Sequence, residues 1–150
     1  MGVNETLRER AVRLLARREH SRAELTRKLA PHAESPEDVV AVLDELVARH
    51  LLSDERYVEM RLNHRSARYG NARLAQELRT QGVDGALVAS ALADCDDEVS
   101  RAHQVWAKKF GERPPATDAA ERAKQMRFLI SRGFSSETVR RVLRGDFEDE

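Results

Sequence analysis

Three similar segments recur along the chain at intervals of about 50 residues, and this repeat restricts the possible architecture more than any other feature. When "SRAELTRKL", "GNARLAQEL" and "RAKQMRFL" are aligned on their last leucine, Leu29, Leu78 and Leu129 coincide. The turns "RTQGV" and "ISRGF" follow the second and third segments at the same distance. A period of this length is typical of repeat proteins, in which neighbouring units pack against one another. We therefore expect three tandem units.

Each unit is expected to contain three short helices, because apolar residues recur at intervals of three and four and capping residues stand at the breaks. Ser21 with Glu24 forms a capping-box pattern, and Ser35 precedes a proline at the start of the next helix. Gly82 is expected to end a helix in the left-handed conformation, and Ser135 to begin the last one. We assign the units to residues 1–52, 53–96 and 97–145, followed by an acidic tail at 146–150.

The composition favours an all-α protein, since charged residues make up 35% of the chain while glycines number 7 and prolines 4. Three-helix units of this size cannot each bury an adequate core alone. We therefore expect the three tandem three-helix repeats to stack into an elongated, curved array.

The net charge is zero, but it alternates along the chain. Counted as Lys+Arg minus Asp+Glu, it is +4 in residues 1–30, −6 in 31–60, +4 in 61–80, −5 in 81–100, +7 in 101–145 and −4 in the tail. Overall neutrality argues against a general nucleic-acid binder, whereas alternating patches suit a partner whose own surface is patterned. The same blocks are also compatible with ordinary solvated helix faces.

No catalytic or cofactor-binding pattern is visible in the sequence. The five histidines never pair at the spacing of a helical zinc site, and "DCDDE" lacks the loop that calcium requires. A phosphate-binding glycine loop and a nucleophile elbow are also missing. We therefore expect a protein that is not an enzyme and that binds no metal and no cofactor.

Cysteine usage and hydropathy bear on the compartment. Cys95 is the only cysteine, which fits a reducing cytosol. No apolar run approaches the roughly 18–20 residues that a membrane-spanning helix needs. We expect a cytoplasmic monomer that makes no membrane contact.

Two classes of function fit a chain of small helical units: a helix-turn-helix protein that reads DNA, and a module that binds another protein. In a helix-turn-helix reader the last helix of a unit enters the major groove and needs basic or amide side chains. The third helix of the first unit instead carries Glu37, Asp38, Asp44 and Glu45, and that of the second unit has no Lys or Arg. Only the last helix of the third unit is basic, which makes sequence reading by all three units unfavourable.

Basic residues concentrate on other helices. At about 100° per residue, Arg61, Arg65 and Arg68 fall within an arc of about 60°. Arg73 and Arg79 follow on the next helix, and Lys108 and Lys109 lie on the first helix of the third unit. We predict that these seven residues form a continuous partner-binding surface. The alternative is that the arginines only keep the helices soluble and pair with Glu59 or Glu77.

Nearly the whole chain, residues 7–144, resembles the RecX family of regulatory proteins. Its "LLSDERY" and "RYGNARLAQELRTQGV" stretches are similar to the family pattern, and "AKKF" and "LISRGFSSETVRRVL" are similar to the family's third unit. At Gln125 the family usually has an aliphatic residue. The matching positions of the central pattern are Leu52, Asp54, Arg56, Tyr57, Arg65, Gly70, Arg73, Leu74, Glu77, Leu78, Gly82 and Val83.

This resemblance implies three tandem three-helix repeats and a cytoplasmic bacterial protein that binds the RecA recombinase. Such proteins lie in the groove of the RecA filament on DNA and restrain its strand exchange, ATP hydrolysis and co-protease activity. The resemblance therefore favours the protein-binding module, with DNA as a secondary contact. A helix-turn-helix-like protein that acts directly on nucleic acid remains the alternative.

Overall fold

The computed structural model of the chain describes residues 5–111 and 118–145, and within these ranges it contains α-helices and one short 3-10 helix but no β-strand. The first unit comprises α1 (Leu7–Arg17), α2 (Arg22–Leu29), the 3-10 helix Ala30–His32 and α3 (Pro36–Ala48). The second comprises α4 (Asp54–Arg65), α5 (Asn71–Thr80) and α6 (Gly85–Ala93). The third comprises α7 (Glu98–Phe110), α8 (Ala119–Ser131) and α9 (Ser136–Arg144). The prediction of an all-α fold built from three-helix repeats is confirmed.

Capping residues begin the helices where the sequence predicts them. The side chains of Ser21, Ser35 and Ser135 each accept a hydrogen bond from a backbone amide in the first turn of α2, α3 and α9. Gly82 has a φ of +79°, the left-handed conformation predicted for the end of α5. These short-range hydrogen bonds explain why the helix ends could be located from the sequence.

Each unit has its own hydrophobic core, so burial between units is not what holds each unit together. The core of the first unit contains Ala11, Leu25, Leu29, Val39, Leu43, Leu46 and Leu52. The core of the second contains Tyr57, Val58, Leu62, Leu74, Leu78, Val83 and Val88. The core of the third contains Val99, Ala102, Val105, Trp106, Phe110, Leu129, Phe134, Val139, Val142 and Leu143. The apolar clusters thus lie within the units, each enclosed by three crossing helices, and not between units.

The first and second units meet where the start of α2 lies against the turn between α5 and α6. The hydroxyl of Ser21 donates to the carbonyl oxygen of Gln81 at 2.8 Å. The amide of Arg22, the first residue of α2, donates to Asp54 Oδ1 at 2.8 Å. This joint is therefore made by hydrogen bonds to groups at helix ends, which would otherwise lack a partner.

The second and third units meet in the corresponding way, with the start of α5 against the turn between α8 and α9. The amide of Gly70 donates to the carbonyl oxygen of Arg132 at 2.7 Å. The amide of Asn71 donates to Glu98 Oε2 at 2.8 Å. Ser21 and Gly70 stand eight residues before the aligned leucines, and Gln81 and Arg132 stand three residues after them. The two joints are thus equivalent, and successive units are connected in the same manner.

Glycines permit the close approach at both joints. A Cβ added at Gly82 would overlap the Cβ of Ala23, and one added at Gly133 would overlap the Cβ of Arg73. At Gly70 an added Cβ would overlap the backbone of Gly133. The glycine after the second helix of a unit therefore packs against the preceding unit.

Candidate partner-binding surface

A cleft of about 640 Å³ opens where the second and third units meet, and we call it the Tyr69–Phe128 cleft. Its residues come from the turn after α4, from α7, and from the end of α8 and the residue that follows it. They are Ala67, Arg68, Tyr69, Gln104, Val105, Lys108, Lys109, Phe128 and Arg132. Four of these nine described residues are cations and none of the nine is acidic, so they form a positively charged space between two successive units.

Two half-buried aromatic rings organise the cations around this cleft. The guanidinium carbons of Arg73, Arg65 and Arg132 lie 4.1, 4.5 and 5.5 Å from the centre of the Tyr69 ring. Arg132 is also 5.0 Å from the centre of the Phe128 ring, and the amine of Lys109 is 5.6 Å from it. Cations within about 6 Å of a ring centre are attracted by the ring quadrupole. The rings therefore hold several positive charges close together without neutralising them.

A second group of cations surrounds a single carboxylate on α5. Glu77 accepts two hydrogen bonds of 2.7 Å from Arg65 and one of 3.3 Å from Arg73, and Arg61 Nη2 lies 3.7 Å away. Burial raises the pKa of Glu77, but the hydrogen bonds from Arg65 and Arg73 and the charge of Arg65 lower it by more. The pKa of Glu77 therefore lies below its ordinary value. The hydrogen bond to Glu77 raises the pKa of Arg65. Three guanidiniums share one carboxylate, and the group keeps a net positive charge.

The structure sorts the seven predicted surface residues into three sets. Arg68, Lys108 and Lys109 line the Tyr69–Phe128 cleft. Arg61, Arg65 and Arg73 surround Glu77, and two of them also lie over Tyr69. Arg79 stands apart, because six residues after Arg73 on α5 correspond to about 240° around the helix. Its Nη2 instead donates to Gln76 Oε1 at 3.4 Å.

The helical arc proposed for Arg61, Arg65 and Arg68 is wrong for its last member. Helix α4 ends at Arg65, and Arg68 lies in the turn that follows, so the 100° rotation per residue does not apply to it. Arg101 holds this turn: its guanidinium donates to the carbonyl oxygens of Ser66 at 2.9 Å and Tyr69 at 2.6 Å. Arg101 is only 5% exposed. It therefore fixes the position of Arg68 against α7.

The alternative that these arginines pair with nearby carboxylates holds in part. Glu77 is the carboxylate that pairs with Arg61, Arg65 and Arg73. Glu59 makes no ion pair with the residues that the structure describes. Arg65 is consequently a structural residue as well as a charged one.

Sequence reasoning missed Arg132, Phe128 and the ring of Tyr69 as parts of this surface. Arg132 occupies the same repeat position as the uncharged Gln81, so the repeat alignment does not predict a basic residue there. Phe128 belongs to the apolar pattern of α8, and this pattern alone does not distinguish a surface aromatic residue from a core residue. The only signal in the sequence is that an aromatic residue, Tyr69, interrupts a run of arginines between two helices.

Within residues 5–111 and 118–145, no helix is both long and apolar enough to cross a membrane. The same ranges contain no group of three or more His, Cys, Asp or Glu side chains arranged to hold a metal ion.

Comparison with known proteins assigns all three units. Residues 8–46, 53–92 and 96–143 match the family models described as the first, second and third three-helix domains of RecX. The regulatory protein RecX of Leptothrix cholodnii is 52% identical over 140 residues, covering 93% of this chain and 88% of that protein. The protein of the same name from Ralstonia nicotianae is 50% identical over 141 residues, covering 93% and 87%.

Solved structures show the same fold. The crystal structure of RecX from Lactobacillus salivarius superposes with a TM-score of 0.80 at 17% identity, and covers 93% of this chain and 94% of that one. A second crystal structure, of a regulatory protein RecX, gives a TM-score of 0.76 at 19% identity and covers 91% and 70%. The matches span the repeats, the joints and the Tyr69–Phe128 cleft, and the chain belongs to the RecX family of regulatory proteins.

Proposed function

We propose that this protein regulates the RecA recombinase by binding in the groove of the RecA filament on DNA, where it inhibits strand exchange, ATP hydrolysis and co-protease activity. Membership of the RecX family supports a regulatory role. The observation that carries the proposal is the Tyr69–Phe128 cleft, a positively charged space that two successive units build together.

The charge of the cleft is available to a partner. Arg68, Lys108, Lys109 and Arg132 make no ion pair with the residues that the structure describes. Arg132 and Lys109 are held against aromatic rings, which restricts their rotamers before a partner arrives. Binding an acidic surface there costs less conformational entropy than ordering free side chains.

The equivalent joints support contact with a filament. A helical filament presents the same protomer surface at a fixed rotation and rise. A chain whose units are connected by the same contacts can meet successive protomers with equivalent surfaces, as the bonds at Ser21 and Gly70 suggest. Binding at several linked sites raises the overall affinity above that of one unit.

DNA is proposed as a secondary contact. A direct helix-turn-helix reader is disfavoured because α3 exposes Glu37, Asp38 and Asp44, and α6 from Gly85 to Ala93 has no basic residue. Phosphates would repel the first of these helices and find no cation on the second. The aromatic rings and cations of the cleft can still contact a strand that lies within the filament.

Charge reversal in the cleft tests this proposal. The variant Arg68→Glu/Lys108→Glu/Lys109→Glu should keep its helical content, because these exposed side chains make no ion pair with the residues that the structure describes. It should bind the RecA filament at least about tenfold more weakly, since like charges then face an acidic partner. Affinity for the filament and for bare DNA is measured by fluorescence anisotropy over a range of salt concentrations.

A matched control reverses three exposed cations outside the cleft, Arg17→Glu/Lys124→Glu/Arg127→Glu, and should bind the filament like the wild type. If the protein filament is the main partner, bare-DNA binding is weak in every variant. Strong wild-type binding to bare DNA that falls steeply with salt and vanishes in the cleft variant would instead favour direct action on nucleic acid. Filament binding unchanged by the cleft variant would refute the proposed surface.

A further inference from the structure

A groove of about 430 Å³ lies between α4 and α6 of the second unit, and we call it the α4–α6 groove. Its floor is apolar: Leu87, Ala91 and Cys95 are partly exposed there, above the buried side chains of Val58 and Leu62. All five belong to or pack against the core of the second unit. The floor is therefore built from α4, α6 and the turn after α6, against the core of the second unit.

Four exposed carboxylates surround this floor: Glu55, Glu59, Asp94 and Asp96. Among the residues that the structure describes, no Lys or Arg lines the groove and none makes an ion pair with these four carboxylates. Three carboxylates elsewhere in the chain, Glu24, Glu45 and Glu77, are by contrast each held by two or more cations. The groove thus combines an apolar floor with negative charge that the fold leaves uncompensated.

We propose that the α4–α6 groove is a docking site for a segment of a partner protein in which apolar side chains are flanked by lysine or arginine. The apolar side chains cover Leu87 and Ala91, and the flanking cations pair with the carboxylates. Nucleic acid and anionic lipid are repelled by the same carboxylates. Within the proposed function, the segment belongs to the recombinase, and the groove is a second contact whose charge is opposite to that of the Tyr69–Phe128 cleft.

Cys95 provides a direct readout of this groove, because it is the only cysteine of the chain and is partly exposed in the floor. Burial raises the pKa of its thiol and so lowers the thiolate fraction that reacts, and alkylation with and without an occupant is therefore compared at one fixed alkaline pH. An occupant that covers Leu87 and Ala91 also shields Cys95. The rate of alkylation, measured by mass spectrometry of the peptide that contains Cys95, reports occupancy.

The probes are two synthetic helical peptides with the same leucine stripe, one flanked by lysines and the other by glutamates. The lysine-flanked peptide should slow Cys95 alkylation several-fold and the glutamate-flanked peptide should not. The variant Glu59→Lys/Asp94→Lys should abolish this protection, whereas Glu34→Lys/Glu137→Lys, which changes the net charge equally at exposed positions outside the groove, should retain it. Equal effects of the two peptides, or protection that survives in the groove variant, would overturn the inference.

The RecA filament is the second probe, and it separates this inference from the proposed function. The filament should protect Cys95 in the wild-type protein and, at saturating concentration, in the Arg68→Glu/Lys108→Glu/Lys109→Glu variant. It should not protect Cys95 in the groove variant. This combination assigns the segment to the recombinase. A wild-type protein that fails to bind the filament refutes the proposed function, while the peptide result still decides the groove. The protein is also alkylated at increasing concentration without any probe. If it dimerises and Cys95 becomes protected, a second copy occupies the groove, and the inference is overturned.

Discussion

Buried polar side chains in this protein are matched to specific partners. The indole N–H of Trp106 donates to Gln125 Oε1 at 2.9 Å inside the third unit. Arg101 is buried beside backbone carbonyls at the joint between the second and third units. Among the described residues, no buried side-chain nitrogen or oxygen lacks a hydrogen-bond partner. Such matching favours one arrangement of the helices, because any other would leave these groups unpaired.

The pair formed by Trp106 and Gln125 gives a prediction for stability. Gln125→Leu restores an aliphatic residue but leaves the indole N–H without an acceptor, and should lower the free energy of unfolding by about 1–3 kcal/mol. The double variant Trp106→Phe/Gln125→Leu removes both partners, so the combined loss should be smaller than the sum of the two single losses. Urea denaturation followed by circular dichroism measures the free energy of unfolding of the double variant and of the two single variants, Gln125→Leu and Trp106→Phe. Strict additivity would show that the hydrogen bond contributes nothing.

The sequence could not reveal this pair, although it flagged Gln125 as unusual. A glutamine in an amphipathic helix is compatible with either a surface or a core position. Its role depends on Trp106, 19 residues earlier on another helix, and so on the crossing of α7 and α8. Arg68 illustrates the same limit: its charge was evident, but its place in the cleft depends on the turn that Arg101 holds.

At the scale of elements, local and long-range features differ in how far they can be predicted. The starts of α2, α3 and α9 follow from Ser21, Ser35 and Ser135, whose side chains accept from the amide three residues further on, and these predictions are confirmed. The joints depend on hydrogen bonds between residues 27 to 62 positions apart in the sequence. Helical periodicity does not predict such contacts. The recurrence of glycine at positions 82 and 133 does indicate that both turns have the same structure, and at both an added Cβ would overlap the preceding unit.

Gly70 tests the joint between the second and third units. Its φ of −82° suits any residue, so a penalty for Gly70→Ala must come from the overlap with the backbone of Gly133. We expect a loss of about 1–3 kcal/mol, typical of overpacking, together with weaker filament inhibition because the cleft spans this joint. Gly85→Ala is the control, since nothing lies within 4 Å of its added Cβ. Calorimetry compares the two, and equal melting temperatures would contradict the close-packed joint.

At the scale of the whole molecule, the units are self-contained in their cores and connected by polar joints. Helix α5 links the two joints, because its start carries Gly70 and Asn71 and the turn after it carries Gln81 and Gly82. A disturbance of α5 should therefore reach both neighbouring units even though no apolar core is shared. This arrangement allows three small cores to act as one structure.

Leu78→Ala tests this coupling. Leu78 is buried in the core of the second unit, and its truncation should cost about 2–5 kcal/mol. Amide hydrogen exchange should accelerate in the second unit and, to a lesser extent, in α2 and the α8–α9 turn that α5 contacts. Ile130→Ala removes a side chain that is 44% exposed and should change exchange little. Exchange confined to the second unit would contradict the coupling through the joints.

The central claim, that this RecX-family protein restrains the RecA filament, is tested most directly by the DNA-dependent ATPase of RecA. With fixed DNA and saturating ATP, the hydrolysis rate should fall as the purified protein is added, while the protein alone hydrolyses neither ATP nor DNA. The Arg68→Glu/Lys108→Glu/Lys109→Glu variant should need at least about tenfold higher concentration to produce the same fall. A hydrolysis rate that stays constant at concentrations where the wild-type protein saturates the filament would contradict the account.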